Sequence, residues 1–270
     1  MRAPTWYALA GPAYLAALLA VDTQVGRGGQ YALGALTWIV LACAVLPLAP
    51  LARAQTMGVV AFATVGEVTG SLVWGVYHYR LHNLPLFIPP AHGLVYLSGL
   101  ALVALVRARV LVWCAACGAV VWGVLGLGAL PRLDVAGAFG VPLLCVFLWR
   151  SRSRAIYAGV FLVVAALELY GTSIGVWRWA RDLPGLGIPD GNPPSGVASG
   201  YVWFDVMAML VAPWLVSLSR SMSSGGDGAR LNRRERLMAP TETKELACQS
   251  SSQSPSAAQS EPRPVTAQTS

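Results

Sequence analysis

What most limits the fold of this chain is the spacing of its charges. Apolar runs of about 16 to 22 residues, almost free of charged side chains, alternate with short segments carrying arginine, which is the spacing a bilayer core demands of helices. The pattern predicts spans near 6–21, 31–49, 56–77, 90–106, 109–128, 133–149, 155–177 and 199–218. Only 11% of the 270 residues are charged, against 56% apolar. A water-soluble domain carries about 25% charged residues, so this composition could not cover the surface of one. The expectation is an all-α fold: a polytopic membrane bundle of about eight transmembrane helices over residues 1–220. The first span, preceded by Arg2, is expected to stay in place as a helix despite its likeness to a signal peptide.

Arginine placement orients the bundle. With the N-terminus inside, the inner segments hold Arg2, Arg53, Arg107, Arg109 and the Arg150, Arg152, Arg154 run. The opposite face has Arg27, Arg80, Arg132, Arg178 and Arg181, partly offset by Asp22, Asp134, Asp182 and Asp190. The positive-inside rule then predicts a cell-membrane protein with both termini cytoplasmic. From Ser221 the sequence turns polar and basic and then rich in Ser, Gln, Pro and Thr, so 221–270 is expected to form a disordered cytoplasmic tail. The net charge of +7 lies largely in loops and tail. It fits attraction to anionic membrane lipids better than nucleic-acid binding. Four of the five cysteines sit in apolar runs and read as small packing residues, not as a disulfide framework.

A duplication is visible inside the apolar region. Glu67-Val-Thr-Gly70 is followed by Gly75-Val-Tyr77-His-Tyr79-Arg80, and Glu168-Leu-Tyr-Gly171 by Gly175-Val-Trp177-Arg178-Trp-Ala-Arg181. The offset is about 100 residues, with a one-residue slip between glutamate and second glycine, and each motif leads into a proline-bearing loop. Two parallel four-helix repeats, 1–107 and 108–220, are therefore expected. An even number of helices per repeat would relate them by an axis along the membrane normal.

The candidate chemistry gathers around these motifs. A carboxylate within the bilayer is costly unless paired, solvated or protonated, which singles out Glu67, Glu168 and Asp205. Glu67 reads as a general acid, with Glu168 or Asp205 as its partner base or charge stabiliser. Asp205 could instead pair with Arg178 or Arg181. Gly70 and Gly171, one turn from the glutamates, leave room for a ligand or for close helix approach. His78 and His92 are candidate proton relays. His78 and His82 at i,i+4 would share a helix face and could hold a metal with Glu67, but the second half has no histidine, and neither metal nor cofactor is expected. Tyr77, Tyr79, Trp177, Trp179, Tyr201 and Trp203 form either an interfacial belt or the wall of a cavity for a cationic or polyene intermediate. Arg80, Arg178 and Arg181 are headgroup anchors or a clamp for an anionic substrate group.

The run Glu67-x-x-Gly70, Gly75-x-Tyr77-x-Tyr79 and Leu84-Pro-Leu-Phe-Ile-Pro89 resembles the integral-membrane carotenoid hydratases of C50 carotenoid pathways, over about 25 residues. The family's Thr-Gly-x-Pro stretch is missing. In its pair of intramembrane acids the chain is also similar in kind to small membrane terpene cyclases. Both resemblances imply an acid acting on a hydrophobic isoprenoid, by hydration or cyclisation. A proton-coupled transporter and a non-catalytic membrane scaffold, whose acids only lock helices together, are the alternatives.

Overall fold

The computed structural model describes residues 5–238, with side chains to residue 221 apart from residue 220. Residues Met1–Met222 form one compact unit. Its order is α1 (Tyr7–Asp22), α2 (Arg27–Val45), α3 (Pro50–Glu67), β1 (Tyr77–Tyr79), α4 (Ile88–Leu105), α5 (Ala108–Gly126), α6 (Val135–Arg150), α7 (Arg154–Ser173), β2 (Trp177–Trp179) and α8 (Val197–Met238). The fold is thus all-helical but for one small ribbon. Six helices are long and apolar enough to cross a membrane: α2, α3 with its extension to Trp74, α4, α5, α7 and α8. α1 and α6 are apolar but have 16 residues each. At 1.5 Å per residue such helices reach about 24 Å, short of a hydrocarbon core of about 30 Å.

The ends follow local chemistry. Pro50 starts α3 at a position where its missing N–H costs nothing. Arg53, expected in a loop, lies in the first turn of α3 and donates to the carbonyls of Leu46 and Leu48 at 2.7 and 3.1 Å. Asp134 caps α6 by accepting from the Gly137 N–H at 3.0 Å. α8 continues as helix beyond Ser221 to Met238, where the sequence predicts disorder; extending a formed helix needs only one hydrogen bond per added residue. Residues 239–270 of the expected tail, with Cys248, lie outside the described residues.

α4 and α7 form the centre of the compact unit. α4 is buried almost all round, from His92 to Gly99, and packs against α1, α2, α3 and α7. Gly99 and Gly159 let α4 and α7 touch backbone to backbone: a Cβ on Gly159 would stand 2.7 Å from the Gly99 carbonyl oxygen. α3 and α8 meet in a similar way, where a Cβ on Gly58 would lie 3.0 Å from Ala208 Cβ. The outer faces of α2, α5 and α8 are left apolar and exposed, as at Ile39, Trp113, Val124, Leu210 and Trp214.

Candidate functional site

The site is organised by the way α3 and α7 end. Past Glu67, α3 widens into a π-helical turn, Val68–Trp74, closed by Gly75 in the left-handed region at φ 77°. α7 has no such turn and closes on Gly175 at φ 79°. The Val76 N–H reaches back to the Gly70 carbonyl, whereas the Val176 N–H reaches back to that of Gly171, both at 2.9 Å. The first closure spans six residues and the second five, so the π turn absorbs the one-residue slip seen in the sequence. Both chains then leave as short strands in the same phase.

Those strands pair antiparallel, Tyr77 with Trp179, His78 with Arg178 and Tyr79 with Trp177. Side chains alternate across a strand. Tyr77, Tyr79, Trp177 and Trp179 therefore share the face toward the bundle, and His78 and Arg178 project from the other face and are exposed. Gly70 and Gly171 are the seats of the first rings. A Cβ on Gly70 would stand 2.9 Å from Tyr77 Cε1, and one on Gly171 would fall inside the Trp177 indole. The room those glycines provide is thus taken by the protein's own aromatics, not by a ligand or a second helix.

Beneath the ribbon the two glutamates are held by these rings. Glu67 Oε2 accepts from the hydroxyls of Tyr77 and Tyr79, both at 2.6 Å. Glu168 Oε2 accepts from the indole N–H of Trp177 at 2.8 Å and, more loosely, from that of Trp179 at 3.4 Å. Tyr201 Oη lies 3.5 Å from Glu168 Oε1. His92, one turn into α4, completes the first cluster. Its Nδ1 is 2.8 Å from the Ile88 carbonyl, which can only accept, so Nδ1 carries a hydrogen. Nε2 therefore faces Glu67 Oε1, at 3.3 Å, out of line for a hydrogen bond. The imidazole stacks on Tyr201, 5.2 Å between centroids and 16° between planes.

These groups border a cavity of about 300 Å³. The rest of its wall is apolar, from Leu15, Leu18 and Leu19 of α1, Phe87, Ile88, Ala91 and Val95 near and in α4, Val164 and Leu167 of α7, and Gly200 and Phe204 of α8. Its polar groups are thus two carboxyls, one imidazole, three phenols and two indoles.

Several sequence-derived candidates lie elsewhere. His78, Arg178 and Arg181 are exposed, and strand alternation turns the first two away from the cavity. His82 sits in a turn at φ 52°, so no helix face joins it to His78. Among the described residues no group of three or more His, Cys, Asp or Glu could hold a metal ion. Arg80 donates to the carbonyls of Asp22 and Val25 and pairs with Asp22 Oδ2 at 3.6 Å, so its guanidinium secures the end of α1. Trp203 is 46% exposed and packs on Phe147. Asp205 is buried on the stripe of α8 that includes Ala198, Val202 and Ala208. Its Oδ2 has no hydrogen-bond partner among the described residues, and it reaches neither arginine, because both stand at the exposed side of the ribbon and its loop.

Phe204, Gly200 and the α1 leucines are site residues that sequence reasoning missed. Their neighbour Tyr201 was already among the candidate wall aromatics. Compared with protein-family models, curated proteins and solved structures, the chain matches none.

Proposed function

We propose that this chain is an integral-membrane enzyme that modifies a membrane-dissolved isoprenoid or related lipid by protonating an alkene, followed by hydration or cyclisation. The observation that carries the reading is an apolar cavity into which two separately held carboxyls face. A volume of about 300 Å³ stands at the small end of ligand pockets. It suits the end group of a long chain, with the remainder in the bilayer.

The surroundings of the two acids suggest a division of labour. Phenol hydroxyls and imidazole both give and accept protons, whereas an indole N–H only donates. Glu67, beside Tyr77, Tyr79 and His92, is the acid that gives its O–H proton to an alkene carbon, leaving a cation on the neighbouring carbon. Aromatic faces of Tyr77, Trp177, Trp179 and Tyr201 stabilise that cation, with the Glu168 carboxyl, held by indoles, as the oriented partner. Water attack gives an alcohol and returns a proton. Attack by a second alkene and loss of a proton gives a ring.

The same reading places α1 and α6 as short seventh and eighth spans, met by local thinning of the bilayer, with both termini cytoplasmic and the ribbon at the outer surface. It also treats the halves as a duplication. The ribbon register is centred on His78 opposite Arg178, so a local two-fold through that pair carries each residue of β1 onto the one 100 later in β2. Inward-facing rings on both strands put that axis across the ribbon and down the bundle. Among the helix contacts, α1 lies on α2 as α5 lies on α6.

The test is mass analysis of isoprenoids and lipids extracted from cells carrying wild-type protein, Glu67→Gln or Glu168→Gln at matched levels. A product one water heavier than its precursor, or an isomer of it, should accumulate with wild-type and vanish with Glu67→Gln. An identical profile in all three would overturn the proposal.

A further inference from the structure

The cavity wall is uneven. Leu15, Phe87 and Val164 are buried, but Gly66 of α3 and Gly200 and Phe204 of α8 are only half-buried. Their sequence neighbours Val65 and Trp203 are exposed, at 65% and 46%, on the outside of the same two helices. Phe204 closes part of this seam, since a Cβ on Gly66 would stand 2.5 Å from Phe204 Cζ. Gly200 is different: nothing lies within 4 Å of where its Cβ would be. Glycine weakens a helix and is usually kept where another backbone approaches. Here no neighbour approaches, although the residue lines the cavity. The missing side chain leaves free space one turn before Phe204, at a half-buried residue that lines the cavity.

We propose that the seam between α3 and α8, open at Gly200 and gated by the Phe204 ring, is the doorway through which the apolar end of a bilayer lipid chain reaches Glu67 and Glu168. This rests on the proposed function only for what happens after entry. The occupant is an uncharged hydrocarbon end, because the wall along the route is glycine, aromatic ring and aliphatic carbon, and because the flanking exposed residues are apolar. The polar end of such a lipid stays at the membrane surface.

The experiment uses the full chain in lipid nanodiscs containing phosphatidylcholine with a diazirine at the acyl-chain terminus, and in a parallel sample with the diazirine near the headgroup. After irradiation, adducts are mapped by peptide mass spectrometry, with exposed Trp113 on α5 as an internal reference. The chain-end probe should label Tyr201 and Trp177 in the wild-type protein, and the headgroup probe should not. Gly200→Leu starts its side chain in free space and fills the doorway, so cavity labelling should be lost, with Trp113 labelling at the wild-type level reporting an intact fold. Phe204→Ala should raise cavity labelling several-fold. Unlabelled cavity residues in wild-type, or labelling indifferent to both substitutions, would overturn the doorway. Glu67→Gln should label like wild-type. Persistent labelling with an unchanged isoprenoid profile would therefore sink the enzyme and leave the doorway standing.

Discussion

The α3–β1 and α7–β2 corners have nearly the same geometry and different chemistry. Each has a glutamate, a glycine seat, a left-handed glycine and two inward aromatics, and the π turn in the first corrects for its extra residue. Yet Glu67 meets two hydroxyls and an imidazole, whereas Glu168 meets two indoles and one distant phenol. The loops behind the corners diverge in the same manner. In the first half Asp22 is held by side chains, Gln30 Nε2 at 2.7 Å and Arg80 at 3.6 Å. In the second Asp134 is held by backbone, from Gly137 and Gly191 at 3.0 Å and Ser195 at 2.6 Å. Backbone shape can stay constant while side chains change what a carboxyl can do. That lets two similar corners take unlike roles at one cavity.

The largest expected difference comes from removing the inward rings' polar groups one corner at a time. Tyr77→Phe with Tyr79→Phe keeps the rings but strips Glu67 Oε2 of both donors. Product formation in membranes should fall by about 10²-fold or more, the scale of a general-acid contribution. Replacing Trp179 by Phe removes only a long contact to Glu168 and should cost far less. Equal losses at the two corners would end the idea of divided roles.

Next are the glycine seats. A methyl group at Gly171 overlaps the Trp177 ring itself, whereas at Gly70 it only crowds the edge of Tyr77. Overpacking of this kind costs about 1–3 kcal/mol, so Gly171→Ala should lower the unfolding temperature in detergent more than Gly70→Ala. The reverse order would show that the rings are not seated as described.

The smallest effect is confined to the second loop. Burial, with Asp134 nearby, pushes the Asp190 carboxyl up to about 7, against the Gly191 N–H and Arg132, which pull it down. A carboxyl whose value is raised on folding holds its proton more tightly in the folded state. Its contribution is present at pH below about 4 and is lost as pH rises toward 7. Hydrogen-exchange protection in residues 180–196, taken relative to the intrinsic rate at each pH, should fall across that interval, and Asp190→Asn should flatten the response. The first-half loop, 80–87, has no counterpart to Asp190 and should not follow it.

Much of the helical frame was legible in the sequence, because membrane-crossing length and apolarity are local properties. The predicted spans overlap all eight helices; α3 starts at Pro50 instead of residue 56, and α8 runs on to Met238 instead of ending at residue 218. The parallel between Glu67 and Glu168 was legible too, since it needs only an alignment of the chain with itself. The strand pair was not. Three residues in each strand carry no strand signature of their own, and their partners are about 100 residues away.

The sequence by itself determined that this chain is a helical, apolar bundle with a glutamate at a matching position in each half and a further acid, Asp205, in the second. Hydropathy and composition act residue by residue, so no contact had to be known. Only the tertiary structure decided which polar groups meet. Ribbon pairing turned the phenols and indoles inward onto the acids and His78 and Arg178 outward. The meeting of α3, α4 and α8 brought His92, Tyr201 and Phe204 to the same cavity, and left Asp205 off it. Those choices depend on strand phase and helix rotation across long sequence separations, which local chemistry does not encode.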